Sequence, residues 1–112
     1  PEMKVSATTV RVPVFTAHSE SVWLEFEKPM TVDKVREALR DAPGVKLMDD
    51  PANAVYPMPK DAAGQDMCLV GRIREDLTTP GGIVLWVSGD QLRKGAATNA
   101  VQIAEILIDK YL

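Results

Sequence analysis

Two apolar stripes run side by side along the last stretch of the chain, "GDQLRKGAATNAVQIAEILIDKYL". Leu92, Ala96, Ala100, Ile103 and Leu107 recur at three-to-four spacing, and Val101, Ala104 and Ile108 form a second row beside them. That period predicts a helix from Gln91 to about Tyr111, with Asp90 as its N-cap. An apolar surface this wide needs partners on more than one side. The rest of the chain must therefore either surround this helix or leave it for something else to cover.

The remaining elements are short. Val5 to Phe15 is rich in Val and Thr and reads as a strand, with Pro13 marking an edge, a bulge or an exit. "SVWLEFEK", Ser21 to Lys28, alternates, placing Val22, Leu24 and Phe26 on one face. Pro29 stops it. Thr31 caps a helix read over "VDKVREALRDA", with Val32, Val35, Leu39 and Ala42 on one face, and Pro43-Gly44 ends it. "VKLMDD" follows as a short strand. Pro51 to Gly64, with three prolines, reads as a long irregular segment, either functional or a plain connection. "MCLVGRIRE" and "IVLWVS" read as strands separated by the turn "TTPGG".

The order is thus β-β-α-β-β-β-α: an α+β fold, a mostly antiparallel or mixed sheet carrying two helices. That sheet offers too little surface to cover the last helix, which implies a missing partner, either another chain or another part of this one.

At 112 residues, with 46% apolar and 26% charged residues and a net charge of −3, the chain has the size and make-up of one globular domain. It has no basic cluster for nucleic acid, no apolar run long enough for a membrane and no secretory signal. One cysteine without a signal suggests a reducing cytoplasm, and one His with one Cys argues against a metal site. The first residue is Pro1 rather than Met, which suits processing, a tag remnant or a piece of something longer.

Chemistry concentrates in "VRVPVFTAHSE", where Arg11 stands seven residues before His18, the only histidine. Arg grips carboxylates and phosphates bidentately, and His moves protons near neutral pH. A turn after Phe15 would bring the two together around a small acidic substrate. The competing reading is a surface His and a salt-bridged Arg. Cys68 lies mid-strand with nothing to activate it, so a packing role is expected. Gln91, at the start of the last helix, could meet an anion or simply belong to a capped helix packed through small residues. Asp49-Asp50 before a proline reads as turn chemistry.

Two segments resemble aspartate-semialdehyde dehydrogenases: "TTVRVPVFTAHSE" and "GRIREDLTTPGGIVLWVSGDQLRKGAATNAVQIAEIL". The similarity spans essentially the whole chain, in order. It implies part of the C-terminal domain of the glyceraldehyde-3-phosphate-dehydrogenase-like kind. Residues 1–90 would belong to the catalytic and dimerisation domain, and residues 91–112 would be a C-terminal helix packing on a nucleotide-binding domain outside this chain.

The activity implied is reductive dephosphorylation of L-aspartyl 4-phosphate by NADPH, giving aspartate 4-semialdehyde and phosphate through a cysteine thioester, on the route to lysine, threonine and methionine. The resemblance assigns His18 as acid/base, Arg11 to the substrate carboxylate and Gln91 to the nicotinamide end of NADP. It also implies a homodimer or homotetramer. The family's glycine-rich nucleotide region and Pro-Asn-Cys nucleophile motif do not occur in this sequence, and Cys68, downstream of His18, does not inherit the nucleophile's role. The chain alone is therefore expected to be inactive. The other readings are a free-standing amino-acid-binding module, a non-catalytic paralogue, and a related reductase acting on an acylated glutamyl phosphate.

Overall fold

The computed structural model describes residues 8–111. Four strands form one mixed sheet in the order β1-β4-β3-β2. They are β1 (His18–Leu24), β2 (Val45–Leu47), β3 (Cys68–Glu75) and β4 (Ile83–Gly89). β4 pairs antiparallel with β1 on one side and with β3 on the other, while β2 joins β3 in parallel. Three helices accompany the sheet: α1 (Val32–Arg40), a single turn α2 (Pro59–Ala62) and α3 (Thr98–Tyr111).

The α+β class and the mixed sheet agree with the sequence. Three details differ. The strand expected over Val5 to Phe15 does not form where it is described: residues 8–15 are irregular, and positions 5–7 lie outside the described residues. The alternation is present, but Val10, Val12 and Val14 stay exposed, because no neighbouring strand among the described residues offers this stretch a ladder. The next strand is set by its partner rather than by its own pattern. β1 runs from His18↔Gly89 to Leu24↔Ile83 and stops where β4 begins, so Phe26 falls beyond it. Finally, the segment from Pro51 to Gly64 is not wholly irregular. It holds a 3-10 turn at Pro51–Asn53 and α2, so the described residues carry three α-helices rather than two.

Sequence-level caps explain the helix boundaries. The Thr31 hydroxyl accepts a hydrogen bond from the Lys34 amide at 3.3 Å, and Pro59 opens α2 at a position that needs no donor. α1 lays Val32, Val35 and Leu39 on the sheet face that carries Val22, Leu24, Val45, Leu47, Val70, Ile73, Ile83, Leu85 and Val87. Full burial of a side chain such as Ile83 contributes about 1.5–3 kcal/mol. A smaller cluster of Ala17, Ala62 and Leu69 seats α2 and the start of β1, with Met48 against it.

Two close approaches shape the far face. At Gly71 a side chain would collide with the Met48 carbonyl and would stand 2.7 Å from Pro57 Cδ, so only glycine lets that loop cross β3. Just beyond it the β3–β4 register shifts, and Arg72 adopts φ +52° in the bulge.

Candidate functional site

The positions of the site residues follow from how the chain enters β1. Ala17 has φ +77°, a left-handed conformation that costs a non-glycine residue. It is held there because its methyl is buried with Ala62 and Leu69. This kink turns the exposed stretch before it into the sheet and makes His18 the first strand residue. One position on, the Ser19 hydroxyl meets that of Ser88 at 2.7 Å, and Ser88 is fully buried. That bond locks the end of β1 onto β4. Strand alternation then puts His18 and Glu20 on the opposite face from Ser19.

His18 and Glu20 open onto a groove of about 350 Å³ at the end of the sheet. Its other walls come from Cys68 on β3, Val87 and Gly89 on β4, and Asp90, Gln91, Lys94, Gly95 and Asn99 beyond it. Gly89 lies directly across from His18, where a side chain would stand 3.3 Å from the Cys68 sulfur. Glycine therefore keeps the space beside the imidazole open. His18 Nε2 and Glu20 Oε1 are 3.4 Å apart, and both side chains are more than half exposed.

The wall after β4 is not a regular helix. Asp90 caps it as the sequence predicts: its buried carboxylate accepts hydrogen bonds from the amides of Leu92 at 2.8 Å, Arg93 at 3.1 Å and, from the α2–β3 loop, Gly64 at 2.8 Å. These amides, Gly64 first, hold the Asp90 carboxyl below the usual carboxylate range. From Arg93 to Ala97 the backbone then takes a π-helical turn before α3 begins at Thr98, so the helix expected from Gln91 starts later and wider. The Gly95 amide reaches back to the Asp90 carbonyl and that of Ala97 to Leu92, each five residues earlier.

Asp66 clamps this turn from outside. It accepts from Arg93 Nε at 2.8 Å, Arg93 Nη2 at 3.0 Å and the Thr98 hydroxyl at 2.7 Å. The Arg93 hydrogen bonds, with Thr98 second, lower its pKa to about 2. Nothing in the sequence around Asp66 signals this role.

Of the three residues singled out from the sequence, His18 and Gln91 meet in one groove. Arg11 does not line it; it is exposed in the irregular stretch before Ala17. Glu20, Cys68, Lys94 and Asn99 were not foreseen there. The i, i+2 spacing of His18 and Glu20 was the one available signal, since it puts both on one strand face. Cys68 arrives by register, two strands away. The groove thus offers an imidazole, two carboxylates (that of Asp90 bound to backbone amides), an ammonium and two side-chain amides around an open space, which suits proton transfer on a small polar ligand. No helix among the described residues is long and apolar enough to cross a membrane.

A family model described as semialdehyde dehydrogenase, dimerisation domain, matches residues 1–94. The aspartate-semialdehyde dehydrogenase of Synechocystis sp. is 55% identical over 109 residues, covering 97% of this chain and 32% of that protein. That of Bacillus subtilis is 52% identical over 108 residues, covering 96% and 31%. The chain thus spans about a third of the length of the curated relatives it matches. Among solved structures, aspartate semialdehyde dehydrogenase II from Vibrio cholerae, in complex with ASA, superposes with a TM-score of 0.82 at 45% identity, over 90% of this chain and 30% of that one. A probable aspartate-semialdehyde dehydrogenase from Pseudomonas aeruginosa gives a TM-score of 0.78 at 39% identity, over 89% and 29%.

Proposed function

Given that this chain belongs to the semialdehyde dehydrogenase family through its dimerisation domain, we propose that it supplies the acid/base half of an aspartate-semialdehyde dehydrogenase site. The reaction is the NADPH-dependent reductive dephosphorylation of L-aspartyl 4-phosphate to aspartate 4-semialdehyde and phosphate. The observation that carries this reading is the meeting of His18 and Gln91 across one open groove, although 73 positions separate them in the sequence.

The roles divide as follows. A cysteine from the rest of the enzyme attacks the acyl phosphate; its S–C bond forms as the C–O bond to phosphate breaks. His18 takes the thiol proton in that step and returns a proton when the thiolate leaves after reduction. NADPH supplies the hydride for that reduction. Gln91, in the groove wall, offers an amide at the nicotinamide end, and the rest of the cofactor belongs to another domain. Arg11 pairs with the substrate carboxylate. It needs the stretch before Ala17 to settle against the completed site. Residues 1–90 form part of the catalytic and dimerisation domain of a cytoplasmic homodimer or homotetramer. Residues 91–112 pack on the nucleotide-binding domain, which covers the apolar surface of α3.

The test is a spectrophotometric assay of NADP reduction by aspartate semialdehyde with phosphate, the reverse direction. This chain alone gives no turnover. In the enzyme that contains it, Arg11→Ala raises KM for the semialdehyde at least tenfold with a smaller change in kcat. Turnover by the chain alone, or an unchanged KM, would remove the assignment.

A further inference from the structure

Glu20 is the one carboxylate in the groove free to act on His18. The titratable and charged groups that face the imidazole come from three places: Glu20 on β1, Cys68 on β3, and Asp90 with Lys94 after β4. Asp90 spends its oxygens on three backbone amides. The Lys94 ammonium is held by the Gln102 side chain. Glu20 makes no other ion pair among the described residues, and its Oε1 stands 3.4 Å from His18 Nε2. The Ser19–Ser88 bond behind the strand keeps both side chains on the groove face.

We infer that Glu20 is a positioning residue that acts through His18, its negative charge favouring the imidazolium that forms when His18 takes up a proton. This rests on the acid/base reading of His18 given above. An anion beside a cationic acid stabilises the charged form. Both groups reach solvent, so the effect is modest and screened by salt.

The experiment uses the full enzyme. The pH dependence of kcat is measured for the wild type, Glu20→Gln and Glu20→Lys at low and high ionic strength, with His18→Ala alongside. The pH at which kcat is half-maximal falls in Glu20→Gln and further in Glu20→Lys. In the wild type it also falls as salt rises, and in Glu20→Gln it responds less. A merely structural role for Glu20 would lower activity without ordering that pH by charge. One half-maximal pH common to all three proteins overturns the inference while leaving His18 in place. Full activity in His18→Ala removes the reading beneath it, and the inference with it.

Discussion

The two longest helices among the described residues meet opposite fates. α1 is nine residues long and lays a single apolar face onto the sheet, where Val35 is buried and Val32 and Leu39 pack beside it. α3 is fourteen residues long, far more apolar, and buries none of them. Val101, Ile103, Ile106, Leu107 and Ile108 are each 50–58% exposed. The sheet satisfies the helix with one stripe and has nothing left for the helix with two. The less amphipathic element is thus the one left uncovered among the described residues. The groove sits at the boundary between the two regimes, where the π-turn leads out of the packed sheet.

The largest expected effect breaks the packed side. Gly71→Ala forces the Met48 carbonyl and Pro57 off β3, and urea unfolding of the chain should show a loss of at least about 3 kcal/mol. Stability within 1 kcal/mol of the wild type would mean that the loop does not cross β3 as closely as described.

Next comes a matched pair. Ile83→Ala, at a fully buried position, should cost about 3–4 kcal/mol in the same measurement. Ile106→Ala on α3 should stay within about 0.5 kcal/mol in this chain, because its side chain is already half in water. Equal losses at the two sites would show that α3 is covered after all.

The smallest effect concerns the boundary itself. Asp66 has its pKa depressed to about 2 by Arg93 and Thr98, against an unfolded value near 3.8. A depressed carboxylate stabilises the fold above its unfolded pKa, and that contribution fades as pH falls through the folded one. Thermal unfolding of Asp66→Asn should therefore show a shallower loss between pH 4 and 2 than the wild type. Parallel curves would mean that the clamp on the π-turn does not persist in solution.

What could be read from the sequence was whatever is decided locally. The Thr31 and Asp90 caps, the end of α1 (at Arg40, a little before the Pro43-Gly44 stop), the turn at "TTPGG" and the two apolar strands all depend on residues within a few positions of one another. So does the width of the α3 apolar surface. What failed was decided at a distance. The alternation of Val10, Val12 and Val14 is as clear as that of Val22, Leu24 and Phe26, yet a strand exists only when a neighbour pairs with it. β1 ends at Leu24 because β4 begins at Ile83, although Phe26 continues the pattern. The bulge at Arg72 and the left-handed Ala17 carry no residue-type signal, since neither is glycine.

The site divides in the same way. His18 and Gln91 could be picked out by chemistry, but their companions could not. Cys68 reaches the groove only through the pairing of β3 with β4, and Lys94 only through the π-turn. Arg11, exposed in the stretch before Ala17, does not line the groove.

The most direct test of the proposed acid/base role is steady-state kinetics of His18→Ala in the full enzyme. The groove geometry predicts that kcat falls at least a hundredfold, the usual contribution of a general acid/base, while KM changes little. A raised KM with kcat intact would contradict it, and would make His18 a ligand for substrate rather than the group that moves its proton.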